Sequence, residues 1–241
     1  MEIRYAQGIN AWKDFHDNIH QFILAKNVKD IAEIGGGANP LLSVEFIEEH
    51  ELNYHVIDIS ADELSKADPR YKKIMLDIEK KDIGIPGQYE LVFSQLTAEH
   101  IKDIQSFYRN VFKLLKPGGS AYFFFACVTT LPTFLNYILP EFISKAILLV
   151  FQPFRKNEKH GKFTAYYKWC VGPTRKNIRR FESLRFEIAV YTGYFGHSYY
   201  QRIGLLNRLE KIKTNFLLKH PNPNFCSYSH LLLGKQYDEP T

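Results

Sequence analysis

The eight residues Glu33-Ile-Gly-Gly-Gly-Ala-Asn-Pro40 decide the fold of this 241-residue chain. They overlap Asp30–Gly35, a stretch that is typical of a short buried strand ending in glycines. Because glycine has no β-carbon, it lets the chain turn sharply after a strand and lets the backbone approach a ligand closely. The stretch therefore predicts a ligand-binding turn at the end of a strand.

An acidic residue stands at the end of the next predicted strand. Tyr54–Asp58 has a strand pattern, and its last residue, Asp58, follows Gly35 by 23 positions. A carboxylate at that place can accept hydrogen bonds from both hydroxyls of a ribose. The dinucleotide fingerprint needs a third glycine where this chain has Pro40, and no GxxxxGK[ST] phosphate loop occurs. The pattern favours a cofactor that has a ribose but no phosphate.

Strand and helix patterns alternate along the chain, which predicts an α/β fold with a parallel sheet covered on both faces. The sequence predicts helices around Trp12–Ala25 and Pro40–His50, a third helix capped by Ser60, and one or two within Ala98–Leu115. It predicts further strands at Ile74–Leu76, Tyr89–Ser94, Ser120–Ala126 and Arg185–Tyr191, and a last strand near Tyr228–Leu233.

Five segments between residues 28 and 126 resemble the motifs of the class I S-adenosylmethionine (SAM) methyltransferases, in the same order and at the same spacing. The glycine turn resembles their first motif, with Asn39 in the third glycine position. The subgroup that the chain resembles most is type 11, the ubiquinone-methyltransferase-like enzymes. The other four segments are Val56-Ile-Asp-Ile-Ser60, Leu76-Asp-Ile78, Tyr89-Glu-Leu-Val-Phe-Ser94 with Thr97-Ala-Glu-His-Ile101, and Leu114-Leu-Lys-Pro-Gly-Gly119.

The resemblance implies a Rossmann-like, mostly parallel seven-stranded sheet with an antiparallel last strand, helices on both faces, and SAM as the cofactor. We expect an aromatic helical cap inserted after the fifth strand and before the last strand. The expected domain organisation is a SAM-binding core over residues 1–127 and a substrate cap with the last two strands over 128–241, within one structural domain. The implied cofactor-binding residues are Glu33, Gly35, Gly36, Gly37, Asp58, Ile59, Asp77, Ile78 and Ser94.

Charge divides the chain into two unlike halves. Residues 1–150 contain 15 basic and 20 acidic residues, whereas residues 151–241 contain 16 basic and 6 acidic residues. The basic half is also rich in aromatic residues, which can grip an acceptor or simply fill the core. Leu205, Leu209, Ile212 and Phe216 fall on one helical face among basic residues, a pattern that suits either an anionic membrane surface or packing against the sheet.

No residue is identified as a general base, which a SAM-dependent enzyme needs only for a poorly nucleophilic acceptor. The candidates are His197, His160 and His100, and each of them also fits a surface or packing role. Glu99, the neighbour of His100, fits a helix start. The three cysteines are far apart and form no metal-binding spacing, so we expect no metal.

The sequence predicts a SAM-dependent methyltransferase that acts on a small-molecule, glycan or lipid-linked acceptor, at oxygen. Two alternatives stay open: a nucleic-acid methyltransferase, which the strand ending in Ser94-Gln-Leu96 disfavours, and a non-catalytic SAM-fold binding protein. Met1-Glu-Ile-Arg-Tyr5 lacks a signal-peptide pattern, and no run of about 20 apolar residues occurs. We therefore expect a cytoplasmic protein that can contact the inner face of the membrane peripherally.

Overall fold

The computed structural model describes residues 1–81, 83–84, 87–130 and 164–236. Eight strands form one sheet in these residues. In chain order they are β1 (Glu2–Gln7), β2 (Asp30–Ile34), β3 (Asn53–Asp58), β4 (Lys72–Met75), β5 (Tyr89–Gln95), β6 (Leu115–Ala126), β7 (Phe186–Phe195) and β8 (Tyr228–Lys235).

Six α-helices are described, and they cover both faces of the sheet. In chain order they are α1 (Ala11–Lys26), α2 (Val44–Glu49), α3 (Ala61–Lys66), α4 (Ile104–Leu114), α5 (Arg175–Glu182) and α6 (Gly204–Lys219). Short 3₁₀ turns occupy Gly8–Asn10, Ala98–His100 and Pro223–Phe225.

The strand order across the sheet is β1-β7-β8-β6-β5-β2-β3-β4. Only β8 runs antiparallel, and it pairs with both β6 and β7. The predicted Rossmann-like sheet with an antiparallel last strand is therefore confirmed. The carboxyl ends of the seven parallel strands all lie at one edge of the sheet, where open α/β sheets bind ligands.

The eighth strand, β1, is the element that the sequence did not predict. It lies at the edge of the sheet and pairs in parallel with β7, from Glu2 opposite Val190 to Gln7 opposite Phe195. Four of its six residues are exposed, so it lacks the apolar pattern that identifies the inner strands. Its partner strand is some 190 residues away in the chain, so no turn between the two strands could reveal the pairing in the sequence.

The central strand β6 shows why the sheet needs two covering layers. Its aromatic residues alternate, with Tyr122 and Phe124 packed in one core and Phe123 and Phe125 in the other. Because successive side chains of a strand point to opposite faces, this run fills both sides. Helix α1 covers the first core through residues spaced at helical intervals, including Phe15. Helices α4 and α5 cover the second core.

Two predicted helix starts have different outcomes. The hydroxyl of Ser60 accepts a hydrogen bond from the Glu63 amide at 3.2 Å, which confirms the predicted cap of α3. Helix α2 begins after Ser43 and not at Pro40. The Leu41 amide donates to the Glu33 carboxylate at 2.9 Å, and the Ser43 hydroxyl caps the helix by accepting from the Phe46 amide, so the helix starts at Val44.

The predicted cap after the fifth strand falls largely on residues 131–163, outside the described residues. The segment that follows, from Thr164 to Thr174, is described and leads into α5. The division at residue 127 stays a prediction. Strand β1 and β7, which lie on either side of that division, are neighbours in one sheet.

The close approach of β1 to β7 predicts that Gly8→Ala destabilises the protein. A β-carbon on Gly8 would lie 1.9 Å from the Gly196 carbonyl oxygen, which is backbone and cannot move aside cheaply. We expect a loss of about 1–3 kcal/mol in the free energy of unfolding, measured by urea denaturation. Gly204→Ala is the control, because nothing lies within 4 Å of its added carbon. Equal stability of the two variants would contradict the placement of β1.

Candidate cofactor site

The glycine turn after β2 lies where two neighbouring strands crowd it. Gly35 and Gly37 both have a positive φ, of 79° and 42°. A β-carbon on Gly35 would lie 2.2 Å from the Thr97 hydroxyl oxygen, and one on Gly37 would lie 3.1 Å from an Asp58 carboxylate oxygen. The turn therefore combines a backbone conformation that favours glycine with a lack of space for side chains.

The position of the turn is fixed by backbone hydrogen bonds. The amide of Gly35 donates to the Ile57 carbonyl at 2.7 Å, which continues the pairing of β2 with β3. The amide of Asn39 donates to the Gly36 carbonyl at 2.9 Å and closes the turn. These bonds hold the turn beside the end of β3.

Asp58 ends β3 directly next to this turn. Its side chain is half-buried, and one carboxylate oxygen accepts a hydrogen bond from the Ser60 amide at 2.8 Å. Burial raises its pKa, while backbone amides, including that of Gly37, act to lower it. The other oxygen is the one that faces Gly37. A carboxylate with this exposure keeps lone pairs for a ligand that lies over the turn.

Glu33 lies beneath the turn and is 3% exposed. One of its oxygens accepts hydrogen bonds from the Leu41 amide at 2.9 Å and from the Tyr54 hydroxyl. Burial raises the pKa of this carboxyl to about 7. The observed contacts of Glu33 brace the turn from inside, and its contact with a cofactor stays a prediction.

Asp77, Ile78 and Ile59 lie on the loops that follow β4 and β3. Asp77 accepts a hydrogen bond from the Glu79 amide at 3.0 Å and is half-buried. Ile78 is buried in the core, whereas Ile59 is 64% exposed. The sheet order brings the loops together at one edge, with the glycine turn between them and β5.

Ser94 lies near the end of β5, on the other side of the turn. It is fully buried, and its hydroxyl has no hydrogen-bond partner among the described residues. A buried hydroxyl without a partner costs free energy unless a ligand or water satisfies it. Ser94 therefore fits a site that is completed by a bound molecule.

Two residues after β5 contribute to this edge in ways that the sequence did not reveal. Thr97 fills the space beside Gly35, and its hydroxyl lies 3.3 Å from the Ile34 carbonyl and 3.2 Å from the Gln95 carbonyl. Glu99 is 5% exposed, and burial raises its pKa to about 7. The signals in the sequence were their place directly after a predicted strand and within the segment Thr97-Ala-Glu-His-Ile101, which resembles part of a methyltransferase motif.

The chain after residue 163 is hydrogen-bonded to the 3₁₀ turn Ala98–His100, which follows β5. The carbonyl of Glu99 accepts hydrogen bonds from the amides of Tyr166 at 2.7 Å and Tyr167 at 3.0 Å. The Val128 amide donates to the Cys170 carbonyl at 3.0 Å. Residues 164–170 of the basic half thus border the edge of the sheet at which the glycine turn lies.

The aromatic residues of the basic half divide between core and edge. Tyr191, Tyr194 and Phe195 of β7 are buried in the sheet's two cores. Trp169 stacks on Tyr108 with ring centroids 5.9 Å apart, so it also serves packing. Most of the described aromatic rings of this half pack in the core, which is one of the two roles that the sequence allows for them.

The three histidine candidates occupy different places. His100 lies in the turn after β5; its Nδ1 is 3.1 Å from the Thr164 carbonyl oxygen, and burial lowers its pKa. His197 lies beyond the end of β7 and is 3.6 Å from Glu210. It lines a cavity of about 260 Å³ between the ends of β1 and β7 and helix α6. Three strands separate β7 from β2. His160 lies outside the described residues.

Neither a metal site nor a membrane span is found in the part of the chain that the structure describes. No group of three or more His, Cys, Asp or Glu residues there could hold a metal ion. No described helix has both the length and the apolar composition to cross a membrane.

The buried carboxyls of Glu33 and Glu99 predict that stability falls as the pH rises. Each pKa is raised from 4.5 to about 7, so the folded chain binds these protons more tightly than the unfolded chain. Their stabilising effect is complete below the lower value and is lost as the pH rises through the higher one. Between about pH 5 and pH 8, we expect the free energy of unfolding of Glu99→Gln to fall by about 1–3 kcal/mol less than that of the wild type, measured by urea denaturation.

Glu182→Gln makes the same chemical change at an exposed position and serves as the control. It should leave the pH dependence as in the wild type. An unchanged slope in Glu99→Gln would show that this carboxyl titrates alike in the folded and unfolded chains.

Comparison with known proteins supports the methyltransferase resemblance. Residues 32–121 match a family described as a methyltransferase domain, and this range contains the glycine turn, Asp58 and Ser94. A search of curated proteins finds no match.

Solved structures show the same fold at low sequence identity. Phosphoethanolamine N-methyltransferase 2 of Haemonchus contortus, in complex with SAM, has a TM-score of 0.54 and 18% identity; the match covers 92% of this chain and 53% of that one. A SAM-dependent methyltransferase of Archaeoglobus fulgidus has a TM-score of 0.56 and 12% identity, with coverage of 91% and 92%. Geranyl diphosphate C-methyltransferase of Streptomyces coelicolor A3(2) has a TM-score of 0.54 and 12% identity, with coverage of 91% and 78%.

This chain spans about half the length of the Haemonchus enzyme and most of the length of the other two. The fold, the motif order and the matched family agree. Residues 32–121 of this chain match the methyltransferase-domain family, and the described sheet has the fold of solved SAM-dependent methyltransferases.

Proposed function

We propose that this protein transfers a methyl group from SAM to a small-molecule, glycan or lipid-linked acceptor. The observation that carries the proposal is the glycine turn after β2, pressed against the half-buried carboxylate of Asp58 at the end of β3. A backbone without side chains next to an acceptor of two hydrogen bonds suits a nucleoside that lies flat against the chain.

The residues at this edge fit SAM. A β-carbon at Gly35 or Gly37 would contact Thr97 or Asp58, so the turn has bare backbone at both ends, and Asp58 can accept hydrogen bonds from the ribose hydroxyls. Asp77 stands on the next loop, where it can face the adenine amino group. Ile59 is exposed and can pack against the adenine ring, with Ile78 beneath it.

Ser94 and Glu33 support the same site from inside. The buried hydroxyl of Ser94 has no partner among the described residues, so a bound cofactor or an ordered water can satisfy it. Glu33 holds the backbone of the turn in place through the Leu41 amide. We propose that Glu33 acts by positioning the turn.

SAM supplies a methyl group that its positively charged sulfur makes electrophilic. The task of the protein is then to hold an acceptor in line with that group and to exclude water. Residues 164–170, bound to the Glu99 carbonyl, lie where they can cover the acceptor. This supports the proposal that the basic half selects the acceptor.

A hydroxyl acceptor would also need a proton acceptor, and we propose His100 over His197 for that role. His100 is in the same turn as Thr97, which contacts the glycine turn. Its lowered pKa keeps the ring neutral at pH 7. Since Nδ1 lies against a carbonyl oxygen, that nitrogen carries the proton and Nε2 is the basic one.

The methylated atom that the sequence predicts, oxygen, stays a prediction. Structures of the same fold include an N-methyltransferase and a C-methyltransferase, so the fold alone does not select the atom. Contact with a membrane, for which the basic half is suited, also belongs to the proposal.

The proposal predicts that Asp58→Ala strongly weakens SAM binding. Each lost hydrogen bond to the carboxylate costs about 1.5–3 kcal/mol, so two of them raise the dissociation constant by a hundredfold or more, roughly. Isothermal titration calorimetry measures this directly. Asp62→Ala is the matched control, because Asp62 lies four residues away and its side chain is 78% exposed. Equal SAM affinity in the two variants would refute the cofactor assignment.

Methyl transfer itself is tested with radiolabelled SAM and separate extracts of glycans, quinones and lipids, with tRNA as a further substrate. We expect label in one of the first three, and none with Asp58→Ala. Label in tRNA alone would favour the nucleic-acid alternative. SAM binding without transfer to any of the four would favour a non-catalytic SAM-binding protein.

If a hydroxyl acceptor is found, His100→Gln should lower kcat and remove the acidic limb of its pH profile, with little change in KM. His197→Gln is the comparison, because it changes the same residue type away from the glycine turn. A profile that His100→Gln leaves unchanged would exclude this base.

A further inference from the structure

Helix α6 exposes its apolar side and buries a polar one. Its three buried residues are Glu210, Thr214 and Leu217. The opposite side of the helix is apolar and exposed to solvent. Its members are Leu205 (71% exposed), Leu209 (53%), Ile212 (58%) and Phe216 (60%).

Specific contacts hold the helix in this orientation. Glu210 forms an ion pair with Lys213 at 2.7 Å and lies 3.6 Å from His197. Thr214 packs closely on the chain just after β7, where a β-carbon on Gly196 would lie 2.5 Å from its hydroxyl oxygen. Leu217 belongs to the core on that face of the sheet. The Glu210–Lys213 pair lies within the helix, but rolling the helix to bury its apolar side would break the contacts of Glu210 with His197, of Thr214 with Gly196 and of Leu217 with the core.

The exposed surface of α6 is cationic as well as apolar. The helix contains four basic residues and a single acidic one, Glu210, which is buried. Lys213 pairs with Glu210, Arg208 and Lys219 are exposed beside the apolar side, and Lys211 is exposed next to the cavity that His197 lines. Among the exposed residues of this helix there is therefore no negative charge to repel an anionic partner.

We propose that α6 docks this protein onto an anionic lipid bilayer. The apolar side chains enter the boundary between headgroups and acyl chains, and Arg208 and Lys219 contact the lipid phosphates. A helix of 16 residues is about 24 Å long, which is less than the hydrocarbon thickness of a bilayer, so it lies in the membrane plane.

The chemistry of this surface favours lipid over other partners. A nucleic acid would meet the cations but leave Leu209 and Phe216 exposed to water. A second copy of this chain would bring the same cations together. An anionic bilayer satisfies both features at once, and its binding does not depend on the proposed methyl transfer.

The test is sedimentation of the full chain with phosphatidylcholine vesicles, with and without phosphatidylglycerol, at low and high salt and without SAM. We expect binding only when phosphatidylglycerol is present, and weaker binding at high salt. Leu209→Gln combined with Ile212→Gln leaves the charge unchanged and should weaken binding about tenfold or more. Arg208→Gln should weaken it about fivefold.

Leu24→Gln combined with Met75→Gln is the matched control. Both side chains are exposed apolar residues, at 54% and 67%, and lie on other elements. This variant should bind vesicles like the wild type, and equal thermal unfolding of the two double variants shows that both fold. Equal vesicle binding by the two double variants, or no binding by the wild type, would overturn the proposal.

Analytical ultracentrifugation without lipid tests the alternative that a second copy of this chain covers the apolar side of α6. We expect a monomer. A dimer that Leu209→Gln with Ile212→Gln dissociates would mean that the apolar side is a subunit interface, and it would overturn lipid docking.

Discussion

The close approach of three chain segments at the end of β2 is the constraint on which the cofactor edge depends. Gly35 lies against Thr97, which follows β5, and Gly37 lies against Asp58, which ends β3. The turn is thus confined from both neighbouring strands. Because these two positions have no β-carbon, the backbone of the turn fits between β3 and β5 and leaves its outer surface open to a ligand. Any side chain there would push β3 and β5 apart, or would occupy the ligand's place.

Two buried acidic residues lie behind this edge, and each ties the strand ends to another part of the chain, Glu33 through its carboxylate and Glu99 through its backbone carbonyl. Glu33 connects the turn to the Leu41 amide before α2 and to Tyr54 on β3. Glu99 lies after β5, and its carbonyl binds the chain at Tyr166 and Tyr167. Burying an acidic group costs free energy, which is why both have a raised pKa. This free energy is spent at the cofactor edge, where contacts join the two halves of the chain.

The cofactor edge could be predicted from the sequence because its signals are local. A glycine turn, an acid at the next strand end and a buried strand each occupy a few consecutive residues, and β2, β3 and β5 form where the pattern places them. Strand β1 could not be found, since an exposed edge strand has little pattern and its partner β7 is distant. Glu99 does lie in a helical turn, as the sequence predicts, but the hydrogen bonds of its carbonyl to Tyr166 and Tyr167 could not be predicted because those residues are far along the chain.

Helix α6 shows a different limit of sequence patterns. Periodicity correctly places Leu205, Leu209, Ile212 and Phe216 on one side, but it does not say whether that side faces the core or the solvent. The deciding contacts are those of Glu210 and Thr214 with His197 and Gly196, two residues beyond the end of β7. Because these polar contacts fix the buried side, the apolar side is left over for a partner. Part of the positive charge of the C-terminal half then has a physical place, because Arg208 and Lys219 flank this apolar surface on a helix that packs at the end of β7, at the same edge of the sheet as the glycine turn.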